Sequence, residues 1–159
     1  MRKLFLILAL LLVMASGAMA AAIPQVTDPD NGPEVWLKDI YNADGGALAI
    51  GDVVVWDTVN SDGDNDNWVR RTTTADTWIV AGVVYPSAIE AGQTGSIAFH
   101  GVVDVTVTGS VIGDGSSLCS STTAGSAYGC ASGNGTGVNR FGFAVETGSN
   151  TSITSYLTL

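Results

Sequence analysis

Residues 61–67, Ser-Asp-Gly-Asp-Asn-Asp-Asn, set Asp62, Asp64 and Asp66 on alternate positions, with Asn60, Asn65 and Asn67 beside them. Calcium takes about six to eight oxygen ligands from carboxylates, carbonyls and water, and this segment supplies enough of them to be a candidate calcium loop. An EF-hand is excluded. No helical pattern flanks the segment, and Thr73 stands where the twelfth loop position needs an acid. The simpler reading is a solvated hairpin tip, because Asp and Asn favour turns for local reasons and strand-like runs lie on both sides. Paired-acid catalysis fits least well. It wants two carboxyls across a cleft in different environments, and a single exposed loop offers one shared environment.

The remaining reactive residues are sparse. His100 is the sole histidine and reads as a strand residue. No nucleophile elbow and no oriented Cys–His pair is present, and no glycine-rich stretch ends in Gly-Lys-Ser/Thr as a phosphate loop does. The chain reads as a non-enzyme without a cofactor, calcium excepted. Cys119 and Cys130 are the only cysteines. A zinc site needs about four ligands, and an even cysteine count in an exported chain points to a disulfide. The ten residues between them, "SSTTAGSAYG", read as a flexible polar loop. Closing it stabilises by roughly 3 kcal/mol in the chain-entropy picture.

Export is expected from the N-terminus. Arg2 and Lys3 precede an apolar run from Leu4 to Met14, and Ala18-Met19-Ala20 completes the order of a secretory signal. Residues 1–20 are therefore read as a signal peptide, residues 21–34 as an extended arm holding three of the four prolines, and residues 35–159 as one β domain. Removing Arg2 and Lys3 takes the formal charge from −9 to −11. That acidity argues against nucleic acid, whose phosphates are neutralised by Lys and Arg, and against anionic membranes for the mature form. It suits a partner that is the chain itself, a cation or a glycan. Trp36, Trp56, Trp68 and Trp78 crowd the first half, and three fall on neighbouring strand candidates. They read as one cluster, either in the core or as a stacking platform for a sugar or a subunit. Asn134 and Asn150 begin Asn-x-Ser/Thr patterns, which matter only in a host that glycosylates them.

The body of the chain reads as strands. "EVWLKDIY", "GDVVVWDT", "NWVRRTT", "DTWIVAGVVY", "GSIAFHGVVDVTVTGSVI", "NRFGFAVE" and "SITSYLTL" are rich in Val, Ile, Thr and aromatics and are bounded by Gly, Asn, Asp and Ser. No mature stretch has convincing helical periodicity. Val103, Val105 and Val107 share one face and Asp104, Thr106 and Thr108 the other. In the last run Ile153, Ser155, Leu157 and Leu159 oppose Thr154, Tyr156 and Thr158. The fold class expected is all-β, a compact antiparallel barrel or sandwich. A faint repeat sets Gly51-Asp52, Gly82 and "GSIAFH" against Gly113-Asp114, Gly142 and "TSITSY". A duplicated three-strand unit would account for it, as would chance in a chain rich in Gly and Val.

The run "GDVVV", then "AGVVYPSAIEAGQTGSIAFHGVVDVTV", then "GD" and "FGFAVET" resembles small β-rich phage virion proteins of the capsid decoration or cement type, over residues 47–159. The resemblance rests on the turn at Ile89, Gly92 and Gly95 and on the strand holding Gly101, Val102, Val103 and Val105. It implies a structural role: a small barrel that docks on a protein lattice, with no catalysis. The export segment is not part of that family's pattern and points to the same kind of domain reused outside the cell. The function expected is a secreted structural subunit that self-assembles into a filament, fibre or surface layer. A secreted adhesin or carbohydrate-binding module and a phage decoration protein are the alternatives.

Overall fold

The computed structural model describes residues 25–26, 34–59, 67–75, 77–130 and 139–159. These residues form strands β1 (Gln25–Val26), β2 (Val35–Asn42), β3 (Val53–Trp56), β4 (Trp68–Arg71), β5 (Val80–Val84), β6 (Thr94–Thr106), β7 (Ser117–Ser120), β8 (Ala127–Gly129), β9 (Arg140–Ala144) and β10 (Ser152–Thr158), with no helix among them. The all-β expectation holds. The export segment and most of the arm lie outside the described residues. Within the arm, Gln25 and Val26 pair antiparallel with Trp36 and Val35.

Five strands close into a barrel in the order β2-β4-β3-β5-β6, with β6 returning to β2. All of its pairs are antiparallel except β2–β4. Strand directions that alternate around a ring must clash once when the ring is odd, so one parallel seam follows from the strand count.

The second half repeats this arrangement. Strand β6 is long enough to serve twice. Thr94–His100 finishes the first barrel, and from His100 onward the strand pairs with β10. Then β10 pairs with β9, β9 with β7, and β7 with β8. A parallel bridge from Val107 to Ala127 closes this ring. The two rings share equivalent bonds. Val84 N–H donates to Asp52 O at 2.9 Å, as Ala144 N–H does to Ser116 O at 2.9 Å. Ala43 N–H donates to Val69 O at 2.9 Å across the first parallel seam, as Thr108 N–H does to Ala127 O at 2.9 Å across the second. A bulge falls between Val54 and Val55 in one ring and between Leu118 and Cys119 in the other. Opposite these bulges stand Gly82 and Gly142, where a Cβ would lie 2.5 Å from the carbonyl oxygen of Ala98 or of Tyr156. No side chain fits there, because the next strand's backbone occupies the space.

The repeat read from the sequence is thus five strands per unit rather than three, and its register is corrected. Gly51 N–H donates to Val84 O and Gly115 N–H to Ala144 O. Gly51-Asp52 therefore corresponds to Gly115-Ser116, two residues beyond the Gly113-Asp114 pair that the sequence suggests.

Burial follows the repeat. Ile40, Leu48, Val54, Val69, Val84 and Ile97 fill the first barrel. Their positional equivalents are Val105, Ile112, Leu118, Ala127, Ala144 and Ser155, and all of them are buried. Ser155 sits where Ile97 would be, and its hydroxyl donates to Ile153 O at 3.3 Å, which settles its one polar hydrogen. The other face of β3, β5 and β6 is buried too. Val53, Val55, Val80, Val83 and Ala98 join one cluster with Val103, Phe141, Ile153 and Leu157 of the second unit. Strands covered on both faces need apolar residues on both, which is why "VVVW" and "VAGVV" read as unbroken runs rather than alternations.

The switch of faces along β6 has a local cause. Trp36 pairs with His100 and Leu37 with Ala98, so Phe99 is an extra residue. Such a bulge lets one face of β6 line the first barrel before it and the opposite face line the second barrel after it. Main-chain bonds tie the units together: Thr106 N–H to Gly51 O at 2.9 Å, Val53 N–H to Gly125 O at 2.8 Å, and Gly125 N–H to Thr72 O at 3.0 Å.

Candidate functional site

Asp62, Asp64 and Asp66 lie outside the described residues. The strands on either side are described: β3 and β4 are antiparallel neighbours with Trp56 opposite Val69. Among the described residues no three His, Cys, Asp or Glu side chains gather as metal ligands.

Cys119 and Cys130 form a disulfide with their Cα atoms 5.7 Å apart. The segment between them corrects the sequence reading of a flexible polar loop. It is a hairpin, with Leu118, Cys119 and Ser120 paired to Gly129, Tyr128 and Ala127. Its polar residues are used internally. The Ser120 hydroxyl accepts from Thr77 N–H at 2.9 Å and donates to Thr74 O at 3.0 Å, tying the hairpin to the first unit. Of the glycosylation patterns, Asn134 lies outside the described residues. Asn150 is exposed, and its Oδ1 accepts from Gly109 N–H at 2.8 Å.

The tryptophans do not form one cluster, and none is buried. Trp68 stacks on Tyr41, centroids 4.8 Å apart. Trp56 lies 4.5 Å beneath the Lys38 ammonium, a cation–π arrangement. Trp78 is 81% exposed on the β4–β5 connection. Trp36 belongs to an aromatic ribbon that the sequence reading missed. It meets Phe99 at 6.1 Å and His100 at 4.9 Å; His100 meets Tyr156 at 5.3 Å; Tyr156 stacks on Phe143 at 5.3 Å. The Tyr156 hydroxyl and His100 Nε2 are hydrogen-bonded at 3.0 Å. Five rings thus cross β2, β6, β10 and β9 on one surface, with Trp36 39% and Phe143 41% exposed. The available signal was Tyr156, a large aromatic on the face that alternation assigns to water.

At Phe99 the ribbon adjoins an apolar groove of about 280 Å³ lined by Lys38, Trp56, Val80, Ala81, Phe99 and Leu159. Exposed aromatic surface of this kind is enriched at protein interfaces. Its polar groups are the Lys38 ammonium, the His100 imidazole with the Tyr156 hydroxyl bonded to it, and the indole N–H groups of Trp36 and Trp56.

Two carboxylates away from this surface are perturbed. Burial pushes Asp44 up, but two side-chain bonds from Arg71 at 3.1 and 3.3 Å, with the Arg71 and Gly46 amides, outweigh it and hold Asp44 low. The same contact raises Arg71. Asp52 goes the other way. Burial at the seam between the units raises it, against the bond from Ala49 N–H at 2.9 Å and the Arg71 charge. A raised folded-state pKa means that ionised Asp52 costs stability, a cost absent below the unfolded value near about 3.9 and growing as pH rises through the folded value. Asp52→Asn keeps an acceptor for Ala49. Its melting temperature should match the parent near pH 3 and exceed it at pH 7, the gap opening as pH rises through the folded value. A gap that does not change with pH would contradict this account.

Two comparisons with known proteins find nothing: no family model matches the chain, and no curated protein does. Among solved structures, the head fibre gp8.5 N base of bacteriophage phi29 shares the fold, with a TM-score of 0.52 over 77% of this chain and 94% of that one, at 16% identity.

Proposed function

We propose that this chain is a non-enzymatic structural subunit that assembles with its own copies at a surface, in the manner of a fibre base or a capsid decoration domain. The observation that carries the reading is the fold likeness to a head-fibre base, which extends over 94% of that chain. The aromatic ribbon supports it, because exposed and half-buried rings running across four strands are interface chemistry. The export segment at residues 1–20 favours an extracellular filament, fibre or layer over a virion. A chain recovered outside the cell with Ala21 as its first residue would support export, and one retained with Met1 would count against it. Assembly is tested by the molar mass of the purified chain, from light scattering across a concentration series. A mass several times that of one chain is expected. A single-chain mass at every concentration would overturn the proposal.

A further inference from the structure

The internal repeat identifies what the exposed aromatic face fits. In the first unit the outer face of β3, β5 and β6 carries Val53, Val55, Val80, Val83 and Ala98, and it is buried against Val103, Phe141, Ile153 and Leu157 of the second unit. The equivalent outer positions of the second unit are Ser117, Cys119, Arg140, Phe143 and Tyr156. Cys119 is buried, but Phe143 and Arg140 are exposed and Tyr156 is half-exposed, and the described residues include no third unit to cover them. The first unit, in turn, holds its own version of the covering surface. The equivalents of Val103, Phe141 and Leu157 are Lys38, Ala81 and Phe99, and the equivalent of Ser120 is Trp56. All four line the open groove.

We infer that copies of this chain meet head to tail, the β9–β10 outer face of one copy (Phe143, Tyr156) seated on the groove of a second (Lys38, Trp56, Phe99, Leu159). The contact repeats between chains the one that joins the two units within a chain. This rests on the reading of the chain as a self-assembling subunit and names the surface that reading requires. Repeating the unit-to-unit relation in one direction makes the contact heterologous, so it builds a closed ring or an open filament. Apolar area is available on both sides: Phe143 and Leu159 are 41% and 45% exposed.

The test uses Phe143→Lys, which removes the exposed ring at the end of the ribbon and sets a cation against Lys38. Val111→Ser, at an exposed position between β6 and β7 that belongs to neither surface, is the control. Self-association should weaken by more than about tenfold in Phe143→Lys, as for an interface hot spot, and be unchanged in Val111→Ser. In parallel, a benzoylphenylalanine photo-crosslinker at position 143 should give covalent dimers whose linked peptides contain Trp56, Phe99 or Leu159. That readout needs no folded Phe143→Lys protein. If the parent chain is a monomer, the function proposed above fails. If the parent assembles, Phe143→Lys assembles equally well and the crosslinks map elsewhere, only the head-to-tail contact fails.

Discussion

Gly101→Ala should unfold or nearly unfold the protein, lowering its melting temperature by roughly 10–20 °C. Gly101 lies at the hand-over point of β6, between the half that finishes the first barrel and the half that begins the second. Its φ is +106°, in a region that costs a side-chain-bearing residue about 1–3 kcal/mol. Space is lacking as well. An added Cβ would strike the Glu34 carbonyl and lie 2.8 Å from Val35 Cα. Both obstacles are backbone at the start of β2, so no rotamer change relieves them, and overpacking of this kind adds about 1–3 kcal/mol. Together these come to about 2–6 kcal/mol, which reaches the lower end of the whole stability of a typical domain, about 5–15 kcal/mol. Thermal unfolding followed by circular dichroism checks it. A variant melting within a few degrees of the parent would mean that β2 and β6 do not approach as described.

Replacing both cysteines, as Cys119→Ala with Cys130→Ala, should cost about 2–4 kcal/mol in chemical unfolding. The bond closes a loop with a sequence separation of 11 and holds together the hairpin that seals the second ring. That ring closes on a bridge at Val107–Ala127, whereas the first has two parallel partner pairs between β2 and β4. The loss should therefore fall on the second unit. Hydrogen exchange should speed up first at Thr108, whose N–H donates to Ala127 O, and at Cys130, whose N–H donates to Ser117 O. Exchange accelerating evenly through both units would show that the disulfide acts only on the unfolded chain. Unfolding free energies that match the parent would show that β7–β9 pairing already holds the hairpin.

The parts of the fold that were legible in the sequence are those in which one face is wet. Val103, Val105 and Val107 alternate with Asp104 and Thr106 because that half of β6 borders the second barrel on one side and solvent on the other. The same alternation placed Ile153, Ser155 and Leu157 inside. The β7–β8 hairpin was not legible. Its Ser, Thr and Gly residues have loop composition, and its strand character comes from pairing with β9 and from the ring closure, both distant in sequence. The repeat was visible but misregistered. A Gly-Asp doublet catches the eye, whereas the element that recurs is a backbone conformation, met by Gly51-Asp52 in one unit and Gly115-Ser116 in the other. The four tryptophans suggested one cluster because they are close along the chain. The barrel sends each to a different place, and it builds its aromatic surface from Trp36, Phe99, His100, Phe143 and Tyr156. No spacing rule links residues brought together by a bulge in β6 and an antiparallel return through β10.

The central claim is that this chain is a building block that meets copies of itself, and electron microscopy of the purified chain tests it most directly. Rings or filaments with a regular axial repeat, each density accommodating the two-barrel body, are the predicted result. A uniform field of single small particles, unchanged as the concentration is raised, would contradict it.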